Sequence, residues 1–101
     1  MYTPSQFPPT SVSVDLNALA QNLAHVRRLA PRSEVLAIVK ANAYGHGAAQ
    51  VALTLEAAGA AMFACADLEE GVALREAGVT RPILVFGALS VSDLSHVFTH
   101  A

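Results

Sequence analysis

Apolar residues follow two patterns along the chain, helical spacing and unbroken runs. Together these patterns predict one helix followed by three strand–helix units. After Asp15, apolar positions recur at helical spacing as far as Leu29, and Pro31 ends this first helix. Three unbroken apolar runs then predict strands at Val35–Val39, Met62–Ala66 and Pro82–Phe86. Runs of this kind are typical of strands that are buried on both faces in a parallel sheet.

The polar segments between the runs predict crossover helices. Asp67, with Glu70 three residues later, resembles a capping box at a helix start, and Asp15 is expected to cap the first helix. A last short helical stretch opens near Ser90 and Asp93. The two crossover helices are predicted at Ala48–Ala58 and Leu68–Ala77.

This order predicts an α/β fold with parallel pairing. Right-handed crossovers place every helix on one face if the sheet curls into a barrel, and a doubly wound open sheet is the competing architecture. A complete (β/α)8 barrel takes roughly 250 residues, so a chain of 101 residues is interpreted as an incomplete piece of a larger fold. Residues 1–12 are predicted to form an extended arm, and residues 13–101 the folded part.

Composition narrows the class of protein. The chain is 53% hydrophobic and 14% charged, with a net charge of -2 and no cluster of basic residues, which argues against disorder and against a nucleic-acid or membrane surface. The single cysteine, Cys65, excludes an internal disulfide and favours a reducing, cytoplasmic setting. Residues 1–9 lack the features of a signal peptide, and no apolar run is long enough to span a bilayer.

Lys40 is the first candidate for chemistry, and it is the only lysine in the chain. It directly follows a predicted buried strand, which is where barrel enzymes carry catalytic residues. Partial desolvation there would lower the pKa of the amine and make it a nucleophile. The alternative is an ordinary surface lysine at a strand end.

The segment after Lys40 is unusual in composition. Gly45 and Gly47 permit positive φ or a close backbone approach, while Tyr44 and His46 supply polar rings near the next helix start. A helix N-terminus with a nearby hydroxyl suits an anionic group such as phosphate. An ordinary βα loop, in which the glycines only make the turn, explains the same residues, and no metal site is predicted.

The ten residues IVKANAYGHG, at 38–47, resemble position for position the cofactor-attachment signature of alanine racemases. The resemblance extends over about Ser13–Leu89, and its other matching stretches lie at residues 14–16, 56–60, 69–71, 74–78 and 82–87. It implies that residues 13–101 are the N-terminal segment of a pyridoxal-phosphate-dependent (β/α)8 barrel domain, whose C-terminal β domain is absent from this chain.

The resemblance also implies roles for three residues. Lys40 would form the internal aldimine with pyridoxal phosphate and act as acid and base on the D-alanine face of the substrate. Tyr44 would hydrogen-bond the cofactor phosphate, and Phe86 would line the cofactor pocket where the family commonly has leucine. His46 belongs to the motif without a firm role, and support of the turn is its expected function.

What lies outside the chain follows from the same resemblance. The second base, a tyrosine, comes from the C-terminal domain across a homodimer interface, and further phosphate-binding groups lie on later strands. Neither Arg75 nor Arg81 is assigned to the site. The family interconverts L- and D-alanine for peptidoglycan, so a bacterial cytoplasmic isomerase is implied, although these 101 residues alone are expected to be inactive.

Two alternatives stay open. The chain could be a truncated, non-catalytic module that binds pyridoxal phosphate or associates with another chain, or a racemase of another amino acid such as serine. The remaining polar residues receive structural interpretations: Cys65 as a small core residue, and solvated side chains at His25, His96 and His100.

Overall fold

The described part of the chain, residues 11–87 and 94–100 of a computed structural model, alternates helices with short strands. Most of the predicted arm, and the predicted helix start near Ser90 and Asp93, lie outside these residues. The elements are α1 (Leu16–Leu29), β1 (Leu36–Ile38), α2 (Lys40–Tyr44), α3 (Ala48–Ala57), β2 (Met62–Cys65), α4 (Leu68–Glu76), β3 (Ile83–Val85) and α5 (Leu94–Thr99).

The three strands form one parallel sheet in the order β1-β2-β3. Ile38, Ala64 and Leu84 lie side by side in the register of this sheet. The prediction of parallel βα units after an N-terminal helix is therefore confirmed, with each strand one or two residues shorter than its apolar run.

Among the described residues, helices cover one face of the sheet. Phe63 and Cys65 on that face are fully buried, and they pack with Val51 and Ala52 of α3 and with Leu74 of α4. On the opposite face Leu36, Ile38 and Leu84 remain 38–45% exposed. Crossover helices on a single face fit a partial barrel, whose inner face is filled by side chains of other strands when the barrel is complete.

The predicted N-caps are both present. An Asp15 carboxylate oxygen accepts a hydrogen bond from Ala18 N at 3.0 Å, and Asp67 accepts one from Glu70 N at 2.9 Å. The second half of the predicted capping box is wrong, because the Glu70 side chain does not return to the Asp67 amide. It accepts hydrogen bonds instead from Ala66 N, which precedes the helix, and from Ala41 N, which lies in the segment after β1.

Glu56 ties the end of α3 to the segment that enters β3. One of its oxygens accepts hydrogen bonds from Thr80 N, Thr80 Oγ1 and Arg81 N, each at 2.8 Å. Burial acts to raise the pKa of the Glu56 carboxyl, but the bonds from Thr80 and Arg81 outweigh it and lower the pKa below its usual value. The contact therefore stabilises the fold above the unfolded-state pKa and is lost as the pH falls through the folded-state value.

Within the described ranges, no helix is both long and apolar enough to cross a membrane.

Candidate functional site

Lys40 and Phe86 lie at the same edge of the sheet. Lys40 comes two residues after the end of β1, and Phe86 directly follows β3. Backbone hydrogen bonds to β2 continue one residue past the ends of β1 and β3: Val39 N donates to Ala64 O at 2.8 Å, and Phe86 N donates to Cys65 O at 3.0 Å. Since the strands are parallel, both residues mark the carboxyl end of the sheet, where barrel enzymes carry their sites.

The segment that follows Lys40 is a left-handed turn. Ala41, Asn42, Ala43 and Tyr44 have φ between 53° and 56°. The left-handed helical conformation costs about 1–2 kcal/mol for each residue that carries a Cβ. Four successive residues in this region persist only where the surrounding structure fixes them, and such strain is concentrated at functional sites.

Several local hydrogen bonds hold this turn, and three of them involve Asn42 or the His46 ring. Asn42 Oδ1 accepts from Ala48 N at 2.9 Å, and Gly47 N donates to Asn42 O at 2.9 Å. His46 Nδ1 lies 2.9 Å from Ala43 O. Because a carbonyl oxygen can only accept, Nδ1 carries the proton in this contact, and the expected support of the turn by His46 is confirmed.

Gly45 and Gly47 complete the turn with the positive φ that the sequence predicts. Gly45 has φ 86° and ψ 2°, and ends α2 in the left-handed region. Gly47 has φ 91° and ψ 92°, and precedes α3. The second conformation lies outside every region that residues with a Cβ populate freely.

Replacement of each glycine by alanine is expected to show how much stability depends on the backbone conformation at Gly45 and at Gly47. An added Cβ meets nothing within 4 Å at either position, so any loss of stability reports backbone conformation and not packing. Gly47→Ala should lower the free energy of unfolding by about 1–3 kcal/mol, and Gly45→Ala by about 1 kcal/mol. Urea unfolding followed by circular dichroism measures both, and a larger loss at Gly45 would contradict the assigned backbone.

Glu70 links residues 40–47, here called the lysine loop, to the loop after β2. The sequence did not predict this contact. One carboxylate oxygen accepts from Ala41 N at 2.9 Å, and the other accepts from Ala66 N at 2.6 Å. Ala66 O in turn accepts from Gly87 N at 2.9 Å. The backbone segments that follow all three strands are therefore joined at this edge.

Tyr44 and Phe86 both present exposed rings near the lysine. Tyr44 is 59% exposed at the end of the left-handed turn, and Phe86 is 54% exposed. By the alternation along β3, Phe86 follows Leu84 on the uncovered face of the sheet, and Lys40 is exposed at the same edge. An amine, a phenol and an apolar surface thus occur at one edge.

A cavity of about 190 Å³ lies behind the lysine loop, between α3 and α4. Neither Lys40 nor Tyr44 lines it, so it is separate from the exposed edge. Most of its wall is apolar, and its lining residues are Val39, Asn42, Ala48, Ala49, Glu70, Ala73 and Leu74.

Residues that the sequence left out of the site have structural roles. Burial, with the nearby charges of Glu70 and Asp67, raises the pKa of the Cys65 thiol to about 11, so it stays protonated at neutral pH and packs as a core residue.

Arg75 donates to the carbonyls of Val79, Arg81 and His100 at 2.7–3.0 Å. His25 is exposed, whereas His100 is half-buried and lies 3.8 Å from a Glu76 oxygen, so the solvated interpretation is wrong for His100. The His96 side chain lies outside the described residues.

Comparison with known proteins gives one consistent family. The family described as "Alanine racemase, N-terminal domain" matches residues 14–101. The alanine racemase of Geobacillus kaustophilus is 48% identical over 92 residues, which cover 90% of this chain and 24% of that protein. The alanine racemase of Geobacillus stearothermophilus is 51% identical over 85 residues, which cover 83% of this chain and 22% of that protein.

Solved structures agree with the sequence relatives. The crystal structure of alanine racemase from E. faecalis superimposes with a TM-score of 0.79 at 35% identity, over 86% of this chain and 24% of that chain. The chain thus spans about a quarter of the length of the relatives it matches. These matches show that the chain belongs to the alanine racemase N-terminal domain family.

Proposed function

We propose that this chain supplies the cofactor-holding part of a pyridoxal-phosphate-dependent alanine racemase. The observation that carries the proposal is the position of Lys40. The only lysine of the chain lies exposed at the carboxyl edge of the parallel sheet, directly before a strained left-handed turn.

The residues at this edge fit pyridoxal phosphate by their chemistry. The cofactor has an aldehyde that a primary amine attacks, a phosphate that accepts hydrogen bonds, and a flat aromatic ring. Lys40 supplies the amine and Tyr44 an exposed phenolic donor. Leu84 and Phe86 supply apolar surface that remains 44% and 54% exposed, and which an aromatic ring would cover.

Each residue then has a definite task. Lys40 would hold the cofactor through its amine and would move a proton to and from one face of the substrate Cα. Tyr44 would donate its hydroxyl hydrogen to the phosphate, and Phe86 would limit access of water to the ring. The bound cofactor supplies an electron sink for the carbanion that forms when the Cα proton leaves.

Racemisation also needs a group on the opposite face of the Cα. We place that second base, the remaining phosphate contacts and the homodimer interface in the part of the relatives' length that this chain does not span. Together they would make D-alanine for peptidoglycan in the bacterial cytoplasm. A racemase of serine would use the same edge, because selection of the substrate side chain is expected from residues beyond this chain.

A second candidate is a chain-association module without turnover. The uncovered apolar face of the sheet favours it, since Leu36, Ile38 and Leu84 are 38–45% exposed. Exposed contiguous apolar surface is typical of interaction sites. This candidate predicts concentration-dependent association that is unaffected by replacement of Lys40.

Titration with pyridoxal phosphate tests the first candidate. The chain should produce the longer-wavelength absorption of a covalent amine adduct, and Lys40→Arg should abolish it while keeping the positive charge. Pyridoxal, which lacks the phosphate, should bind more weakly than pyridoxal phosphate, and Tyr44→Phe should reduce that difference by roughly ten- to a hundredfold, about the contribution of one hydrogen bond to a charged group. Equal spectra for the unsubstituted chain and Lys40→Arg would overturn the proposal.

A further inference from the structure

We infer that Glu70 is a positioning residue for Lys40: its carboxylate fixes the peptide group that follows the lysine and so directs the lysine along the carboxyl edge. The inference rests on the proposed function, because it concerns the same amine. This positioning of Lys40 is separate from any contribution of Glu70 to the start of α4.

The contact acts on the peptide group next to the lysine. The Ala41 amide hydrogen that Glu70 accepts, at 2.9 Å between N and Oε2, belongs to the peptide joining Lys40 to Ala41. A peptide group is planar from one Cα to the next. Fixing the direction of this N–H therefore fixes the plane that contains the Lys40 Cα.

The other end of the contact is anchored firmly. The second oxygen of Glu70 accepts from Ala66 N at 2.6 Å, and the Glu70 amide itself is held by Asp67. Ala66 follows β2, and its carbonyl accepts from Gly87 N. Gly87 has no room for a side chain there, because an added Cβ would lie 2.8 Å from Ala66 O. The Glu70 carboxylate thus ties the lysine loop to the backbone that follows β2 and, through Ala66, to the backbone that follows β3.

Backbone strain explains why such an anchor is needed. Ala41 has φ 53°, and the three residues after it are also left-handed. Alanine and tyrosine favour the right-handed region by about 1–2 kcal/mol per residue. Asn42 and His46 hold the far end of the turn, whereas the Glu70 carboxylate holds its first residue. Hydrogen bonds to a carboxylate are about twice as strong as those between neutral groups.

Glutamine tests this role because it has nearly the same shape. Its single carbonyl oxygen can accept from Ala41 N or from Ala66 N, but its NH2 group cannot accept the other. Glu56→Gln is a matched control, because Glu56 also accepts backbone amide hydrogens, from Thr80 and Arg81. Those residues precede β3, at the opposite end of the sheet from Lys40.

Two measurements on the full chain are expected to separate the variants. Glu70→Gln should reduce the rate of borohydride trapping of pyridoxal phosphate at Lys40 by roughly ten- to a hundredfold, the loss that a displacement of about 1 Å causes. Glu56→Gln should change it less than about twofold, a difference within the effect of an ordinary surface contact. Amide hydrogen exchange followed by NMR should be faster at Ala41 or Ala66 in Glu70→Gln only.

The outcomes distinguish this inference from the proposed function. If the unsubstituted chain gives no adduct at Lys40, both are overturned. If the chain gives the adduct, and Glu70→Gln traps as fast with unchanged amide exchange, the inference alone is overturned. Should Glu70→Gln prove unfolded by circular dichroism, Glu70→Asp replaces it, since its shorter side chain retains the charge but cannot span both amides; unchanged trapping in that variant overturns the inference in the same way.

Discussion

Replacement of Phe63 by alanine is expected to lower the free energy of unfolding by about 3–5 kcal/mol, the range for truncation of a buried phenylalanine. Phe63 is fully buried at the centre of the sheet, between Ala37 of β1 and Ile83 of β3. Its removal would leave a cavity between the sheet and the helices that cover it. Because small domains are stable by only about 5–15 kcal/mol, this loss should remove a large fraction of the free energy of unfolding.

Phe86→Ala is the matched control for this experiment. The chemical change is the same and the residue adjoins the same sheet, but Phe86 is 54% exposed on the uncovered face. Its loss should cost less than about 1 kcal/mol, as for other substitutions away from the core. Urea unfolding of both variants decides the question, and similar losses would mean that the two faces have been assigned wrongly.

The chain supplied with pyridoxal phosphate and L-alanine is expected to make D-alanine no faster than the free cofactor does. Two-sided proton transfer requires a base on each face of the Cα, and a positioned group of this kind contributes roughly 10²–10⁴-fold. The chain contains two tyrosines, of which Tyr44 lies in the lysine loop and is assigned to the phosphate. Tyr2 falls in the predicted arm and is not expected to substitute for the second base.

A coupled assay with D-amino-acid oxidase measures this production directly. Lys40→Ala is the control, because any turnover that depends on the proposed site should vanish in it. Turnover by the unsubstituted chain above that of free cofactor, lost in Lys40→Ala, would show that the sheet edge carries both proton-transfer steps. The assignment of the second base to the remainder of the protein would then be wrong.

The order of the three strands and of the helices α1, α3 and α4 could be predicted from the sequence, because each depends on local pattern. Apolar runs that stop just before Lys40 and Gly87 have the length and composition of strands, and Asp15 and Asp67 cap the helices they precede. The apolar runs alone predict strands buried on both faces, but Leu36, Ile38 and Leu84 are 38–45% exposed on one face of the sheet, as the small number of strands and helices in the sequence also indicates. Period and composition report that a residue is apolar, whereas burial depends on which other strands are present.

The geometry of the site was only partly predictable for a different reason. Gly45 and Gly47 predicted a turn with positive φ. Ala41 and Ala43 also have positive φ, although alanine favours the right-handed region. That conformation depends on contacts between residues far apart in sequence, such as Glu70 with Ala41, 29 positions away. The roles of Tyr44 and Phe86 come from the resemblance to alanine racemases, because exposure and position at the sheet edge do not distinguish a phosphate donor from an ordinary surface ring.

The most direct test of the central claim is to locate the reduced cofactor on the chain. After incubation with pyridoxal phosphate and reduction with borohydride, trypsin cleaves at arginine and at unmodified lysine, but not at a modified lysine. An adduct at Lys40 therefore gives an intact peptide of residues 33–75, bounded by Arg32 and Arg75, in place of peptides 33–40 and 41–75. Attachment of the cofactor at Lys40 predicts that peptide with the added mass of the reduced cofactor, and much less of it from Tyr44→Phe combined with His46→Ala. Label confined to the chain's α-amino group, or equal labelling of Lys40 in that double variant, would contradict it.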